Sequence, residues 1–212
     1  MSIDLETVRD LSILVAACMG AYSIDAWRRE FVGKRQMEIA EEVLALFYEA
    51  RDAVSYMRGP ASFGGEQLEL ERGPSESEAN FKARQNASVV FYRYEQKQEL
   101  FAKLRAIRYR FLAQFGEEKA KPFEDLWSQI NRVLVSARLL SRFWARDHFR
   151  TPEQQDEHYK RVEEQEAVFW EGYTDPDEVK AGIDQAISDM ETICRSIIDG
   201  KGTLFGLVNK KL

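Results

Sequence analysis

Apolar residues recur every three or four positions through most of this 212-residue chain, and that spacing limits the folds open to it. The last third shows the pattern best, with a stripe at Val179, Ile183, Ile187, Met190 and Ile197. Such spacing places apolar side chains on one face of an α-helix. Only 12 Gly and 5 Pro, with 31% charged residues, are typical of long helices. We therefore expect an all-α fold class.

Four long segments carry this pattern, at residues 34–58, about 76–115, about 122–144 and about 176–199. The spacing predicts an antiparallel long-helix bundle of four-helix type with coiled-coil-like contacts. Residues 59–75 hold four Gly and two Pro and predict a long loop. The strongly charged residues 152–171 predict a peripheral helix.

Several residues mark the expected ends of these helices. Gly116 stands where a helix would end, and Pro122 suits the first turn of the next one. Thr151 precedes Pro152 and predicts an N-cap, with Gln three residues later. Asp175 precedes Pro176 in the same way, with Glu178 three residues later, and predicts a second N-cap.

Residues 11–24 differ from the rest because they contain no charged residue, so a helix there would be apolar on every side. Such a helix lies inside a large protein or in a bilayer, and this chain is too small to enclose one easily. Fourteen residues span about 21 Å, less than the roughly 30 Å of a hydrocarbon core. Extension to Trp27 adds three residues. We expect residues 1–27 to form an N-terminal hydrophobic helix that anchors the chain in a membrane, with a buried core helix as the alternative.

The charges on the two sides of this segment differ in sign. Three acids and one Arg precede it, a net charge of −2, and a net charge of +3 follows it between residues 28 and 35. Cationic flanks remain in the cytoplasm, whereas a cleaved secretory signal carries its positive charge before the apolar run. The prediction is an uncleaved membrane anchor with its N-terminus outside and a cytoplasmic bundle at residues 28–200. The expected membrane-interface residues are Trp27, Arg28, Arg29, Lys34 and Arg35.

The C-terminal tail, residues 201–212, combines apolar residues with Lys210 and Lys211. It would rest on the same anionic membrane surface or fray. The alternative to a membrane protein is a soluble oligomeric bundle in the cytoplasm. In that case residues 11–27 would pack into the core of the oligomer.

The stretch AWRREFVGKRQMEIAEEVLALFYEARDAV (residues 26–54), with the SFGGE of the following loop, resembles a family of bacterial proteins of uncharacterised function. In that family a short hydrophobic N-terminus precedes a nearly identical basic and amphipathic segment. The resemblance covers the first third of the chain. It implies a bacterial origin and favours the anchor, so that the expected location is the bacterial inner membrane. It implies no activity and no functional residue.

The sequence carries no strong motif for a metal, a cofactor or a nucleophile. Di-iron bundles use Glu-x-x-His pairs, but the residues three before His148 and His158 are Ala and Gln. Cys18 and Cys194 are far apart and do not have zinc-ligand spacing. The GKR at residues 33–35 lacks the flanking residues of a phosphate loop. We therefore expect that the protein binds no cofactor or metal and is not an enzyme.

One weak catalytic candidate is the pair Arg142 and His148, six residues apart in the segment RFWARDH. The spacing resembles that of HEPN-type ribonucleases, which are helical bundles in which such a pair would bind phosphate and act as acid and base. Phe143 replaces the polar residue usual after the Arg, which weakens the match. The last-turn helix dipole also explains basic residues here.

Four basic residues, Lys103, Arg105, Arg108 and Arg110, follow one another on a predicted helix and would suit an anionic partner. Pairing with acidic neighbours explains them equally well. The net charge of −6 argues against non-specific nucleic-acid binding as the main role, and no specific nucleic-acid partner is expected. The function expected is a membrane-tethered interaction or scaffold module, with the bilayer, an unknown protein or a second copy as partner. An RNA-cleaving enzyme is the alternative.

Overall fold

The computed structural model describes residues 5–61, 65–66, 68–146 and 148–199, and the side chains of residues 5–12, 21 and 25 lie outside that description. Within these ranges the chain forms six helices and no strand, which confirms the all-α prediction. The helices are α1 (Leu5–Arg58), α2 (Glu78–Gln96), α3 (Gln98–Phe115), α4 (Glu117–Phe143), α5 (Pro152–Phe169) and α6 (Glu178–Ile198).

The hydrophobic core lies where the C-terminal part of α1 meets α3, α4 and α6. Phe123 of α4 is at its centre, with ring centroids 5.0 Å from Phe47 of α1 and 5.6 Å from Phe111 of α3. Edge-to-face contacts of this kind add to the burial of apolar area. The predicted stripe of α6 faces this core, since Val179, Ile183, Ile187 and Met190 are all buried, while Ile197 is half-buried.

Helix α1 differs from the expected separate N-terminal helix. It is one helix of 54 residues that continues through Gly20 and Gly33. At 1.5 Å per residue it is about 81 Å long. Among its described side chains the first buried one is that of Ile39, and the last third of the helix belongs to the core. In the described chain, we find no helical stretch with the length and apolar character needed to cross a membrane, so the predicted single-pass anchor lacks support.

The predicted helix at 76–115 is two helices, separated at Lys97, whose φ and ψ are −108° and 12°. The two halves bury their apolar faces on different partners. Helix α2 packs mainly on α4, and α3 packs mainly on α1. Because a straight helix could not follow both surfaces, tertiary packing overrides the continuous helical pattern.

Helix α4 begins at Glu117, five residues before the predicted start at Pro122. Gly116 adopts φ 88°, which is open to glycine, and ends α3 as predicted. The turn added before Pro122 contains Ala120, which is buried. The burial of Ala120 therefore favours helix before Pro122, although proline has no N–H to donate a hydrogen bond to the preceding turn. Helix α4 ends at Phe143.

The two predicted N-caps have different outcomes. Thr151 caps α5 as predicted, with its side chain accepting from the Gln154 N–H. Helix α6 is capped by Asp177 and not by Asp175, since the Asp177 carboxylate accepts from the Lys180 N–H at 3.0 Å. Asp177 is fixed by a second contact, described below, that local sequence does not reveal. The predicted tail at 201–212 lies outside the described residues.

Candidate functional site

The N-terminal part of α1 projects from the core, and we call residues 13–38 the arm. None of its described side chains is buried. Seven consecutive apolar or small residues, 13–19, are exposed, including Ile13 at 60% and Met19 at 65%. Consecutive helical residues are 100° apart, so seven of them cover every direction around the axis. This first part of the arm therefore presents apolar surface on all sides.

The predicted interface residues lie between this apolar run and the core, and we call Arg28, Arg29, Lys34 and Arg35 the basic collar. All four are exposed. Arg28, Lys34 and Arg35 form no hydrogen bond or ion pair with another described residue, whereas Arg29 lies 6.0 Å from the ring of Tyr22. Glu30 and Glu38 are the acidic residues in this part of the helix. Most of the positive charge of the collar is thus available to an external anion.

Two exposed aromatic residues lie on the collar side of the arm. Trp27 is 67% exposed, and its ring stacks on Phe31 with centroids 6.0 Å apart. An indole next to a group of cations is typical of residues at the headgroup level of a bilayer. The structure therefore brings together on one helix segment all five residues that the sequence identified as an interface.

The other end of α1 is fixed by a buried arginine that the sequence did not single out. Arg58 is 1% exposed and ends the helix. Its Nε donates to the carbonyl of Val168 at 2.8 Å, and its Nη2 donates to those of Ala167 and Trp170 at 3.1 and 3.0 Å. These are carbonyls of the last turn of α5, which no helical N–H satisfies. Arg58 therefore caps the C-terminus of α5.

The same guanidinium bonds to Asp177 at 3.0 Å, the residue that caps α6. Burial opposes ionisation of this carboxyl, but the Lys180 N–H, Arg58 and the Gly172 N–H together lower the pKa of Asp177. A fully buried cation is thus matched by a carboxylate and three carbonyls, which is the condition for burying charge without a large penalty.

A second buried arginine, Arg93 of α2, binds the C-terminal end of α1. Its Nη1 donates to the carbonyls of Tyr56 and Gly59 at 3.1 and 2.7 Å. Its Nη2 donates to the carbonyl of Ala61 and to Glu66, both at 2.6 Å. Arg93 therefore caps α1 and holds the start of the following loop against α2.

The weak catalytic pair is divided by the end of a helix. Arg142 lies in the last turn of α4, which ends at Phe143, and His148 follows in the non-helical connection. Both side chains are exposed. The two residues therefore do not lie on one helix, and the RNA-cleaving function stays a prediction that a His148→Ala variant would test.

The other histidine is part of the packing between α4 and α5. His158 is 6% exposed, and its Nε2 forms a 3.2 Å hydrogen bond with the Phe143 carbonyl. Its ring lies 5.7 Å from that of Phe143 and 5.0 Å from that of Phe149. These contacts pack the end of α4 and the connection after it against α5.

The two cysteines lie in opposite environments. Cys18 is exposed on the arm, and Cys194 is buried in the core. Burial raises the pKa of the Cys194 thiol to about 12. This thiol is protonated at neutral pH and acts as a small apolar side chain.

A groove of about 750 Å³ lies between α4, α5 and the segment that leads into α6. Its apolar lining includes Val135, Leu139 and Val168, and Lys160 and Glu163 are among its charged residues. Among the described residues, no three His, Cys, Asp or Glu side chains are grouped to hold a metal ion. The groove is thus a surface of mixed polarity, and its described residues include no cluster of metal ligands.

Comparisons of the chain with protein-family models, with curated proteins and with solved structures gave no match. The resemblance of residues 26–54 to a bacterial family therefore stays a prediction. The candidate site rests on the geometry of the arm and its collar.

Proposed function

We propose that this chain is a membrane-tethered interaction module. In this proposal its helices form an antiparallel bundle in the bacterial cytoplasm, and the arm embeds in the inner membrane. The observation that carries it is the exposed run at residues 13–19, which is apolar in every direction around the helix.

A bilayer suits this surface better than a single partner helix does. A two-stranded coiled coil covers one seam of apolar residues, two in every seven. A pair of arms would therefore leave most of the run in contact with water, whereas lipid tails surround a helix completely. The uncharged stretch at residues 11–24 is about 21 Å long as a helix, less than the roughly 30 Å of a hydrocarbon core. The proposal therefore requires the arm to enter the hydrocarbon and not to cross it.

The basic collar supports the same arrangement. It lies between the apolar run, which ends at residue 19, and Ile39, the first buried residue among the described side chains of α1. Each Lys or Arg near an anionic surface contributes about 1 kcal/mol of attraction. With Trp27 at the start of the collar, the core would lie next to the headgroups of an anionic leaflet. Tethering would then present the groove between α4 and α5 to protein partners at that surface.

Vesicle binding of the full chain tests the tether. Ile13→Glu with Ile24→Glu adds two charges to the arm, and the matched control Val135→Glu with Tyr159→Glu adds two charges at exposed apolar positions of the core helices. We expect the unchanged chain and the control to co-sediment with vesicles of mixed zwitterionic and anionic lipids, and the arm variant to remain in the supernatant. Equal sedimentation of both variants would refute the tether.

Neutralising the collar separates its part from that of the apolar run. A variant with Arg28, Lys34 and Arg35 all changed to Gln should lose the preference for anionic over zwitterionic vesicles and keep the residual apolar binding. Sedimentation-velocity analysis without lipid addresses the soluble-oligomer alternative. A discrete oligomer that the arm variant dissociates, with no vesicle binding, would replace the tether by self-association.

A further inference from the structure

Three of the four basic residues that follow one another on α3 have a carboxylate partner. The pairs are Lys103 with Glu99 at 2.8 Å, Arg108 with Glu124 at 2.8 Å and Arg110 with Glu42 at 3.1 Å. Pairing with acidic neighbours therefore accounts for most of this basic run. It does not account for Arg105.

Arg105 lies on an aromatic ring. Its guanidinium carbon is 4.6 Å from the ring centroid of Trp127 on α4, and its Nη2 is 3.5 Å from the hydroxyl oxygen of Tyr94. Among the described residues it has no carboxylate partner. Stacking on an indole holds a guanidinium in a fixed plane while its edge still donates hydrogen bonds.

Arg108, one turn further along α3, has a side-chain donor without a partner in the described part of the chain. Its Nη2 bonds to Glu124, but its Nε is buried and has no hydrogen-bond partner among the described residues. A buried donor without an acceptor is rare and costly in proteins. Arg105 and Arg108, with Tyr109 and Trp127, line a cleft of about 220 Å³.

We propose that this cleft binds a phosphate group, either inorganic phosphate or the phosphomonoester of a small aromatic molecule. Arginine binds tetrahedral oxyanions through several N–H donors at once, and such charge-assisted bonds are about twice as strong as neutral ones. An oxyanion in this cleft would supply the negative charge that Arg105 lacks and would accept hydrogen bonds from the guanidinium groups of Arg105 and Arg108, which both line it.

The size of the cleft limits the ligand. Pockets for whole drug-sized molecules measure roughly 300–1,000 Å³, so a cleft of 220 Å³ takes a phosphate with a small substituent. Tyr109 is 65% exposed and offers a ring face to a planar substituent. Glu124 bonds to Arg108, one of the residues that line the cleft, and its negative charge reduces phosphate affinity.

Side-chain NMR of the full chain in a neutral maltoside detergent and phosphate-free buffer tests the proposal. Inorganic phosphate and phenyl phosphate are titrated separately, with sodium chloride at matched ionic strength as reference. We expect the Arg105 and Arg108 Nε–Hε resonances to shift with saturation, and that of Arg110 to remain unchanged. Tighter binding of phenyl phosphate identifies the aromatic ester as the source, and equal binding identifies phosphate alone.

Three single variants complete the test. Arg105→Gln should weaken phosphate binding at least tenfold, and Glu124→Gln should tighten it severalfold by removing the competing carboxylate. Arg110→Gln, on the same helix but outside the cleft, should leave binding unchanged. Shifts reproduced by sodium chloride, or equal weakening by Arg105→Gln and Arg110→Gln, would overturn the site. All of these positions are exposed or half-buried, and circular dichroism checks that each variant folds.

Discussion

Arg58 and Asp177 form a 3.0 Å ion pair that joins the last residue of α1 to the N-cap of α6. The same arginine bonds three carbonyls at the C-terminal end of α5. In return, the Arg58 carbonyl accepts from the Glu171 N–H at 2.9 Å. One residue thus connects three helix ends, and the hydroxyl of Ser55 adds a hydrogen bond to the Glu171 carboxylate.

Removing this guanidinium should destabilise the protein strongly. An Arg58→Ala variant leaves the Asp177 carboxylate and three carbonyls without their common donor. Breaking a buried pair in this way costs about 3–5 kcal/mol. Urea unfolding, followed by circular dichroism, should show a lower midpoint with an unchanged slope.

The matched control is Arg51→Ala, two turns earlier on the same helix. Arg51 pairs with Asp52 at 3.5 Å, and both side chains are exposed. Exposed pairs contribute about 0–1 kcal/mol. A loss of stability as large in the control as in Arg58→Ala would contradict the role of the buried network.

These networks mark the limit of what the sequence predicted. The apolar face of α6 and the Thr151 cap depend on residues within one or two turns, so the pattern of Val179 to Met190 was sufficient. Arg58 follows an amphipathic stripe and has the sequence pattern of a solvated helix end. Its burial could not be predicted because its partners are more than 100 residues away. The choice of Asp177 over Asp175 as N-cap depends on the same distant contact.

The functional candidates show the same difference between local and tertiary information. The collar and Trp27 could be predicted because they lie close together in sequence on one helix and need no tertiary partner. Arg105 was recognised only as one of four similar cations, since its contact with Trp127 arises when α3 packs beside α4. The break at Lys97, which permits that packing, also depends on contacts that no local pattern encodes.

Stability below pH 4 should depend on Asp177. Its pKa is lowered in the folded protein, against an unfolded value of about 3.9. The ionised form therefore contributes stability above the unfolded pKa, and this contribution disappears as the pH falls through the folded pKa. We expect Asp177→Asn to be less stable than the unchanged chain at pH 7 and to lose less stability between pH 4 and pH 2.

Urea midpoints measured across this range give the two slopes directly. Asp52→Asn serves as the reference, because it removes an exposed carboxylate from α1. The reference should retain the steep acid dependence of the unchanged chain. If Asp177→Asn loses stability as steeply as the reference, another carboxylate is responsible.

Arg93 should control local opening at the C-terminal end of α1. An Arg93→Gln variant loses the donors to the carbonyls of Tyr56, Gly59 and Ala61. Hydrogen exchange of peptides covering residues 55–61 should accelerate at least tenfold. Arg93 and Lys97 both lie over the Tyr56 ring, at 5.3 and 5.6 Å from its centroid, but Lys97 is exposed, so Lys97→Gln is the control. Similar acceleration in both variants would assign the effect to the ring contact.

The two cysteines report on the arm without any substitution. In vesicle-free buffer, a membrane-impermeant maleimide should label Cys18, which is exposed, and not Cys194, whose burial holds its thiol protonated. Anionic vesicles should protect Cys18 if the arm enters the bilayer, and detergent should restore its labelling by dispersing the vesicles. Cys194 should react only in denaturant, which makes it an internal control for unfolding. Protection of Cys18 without vesicles would favour self-association of the arm, and labelling that vesicles leave unchanged would exclude its insertion.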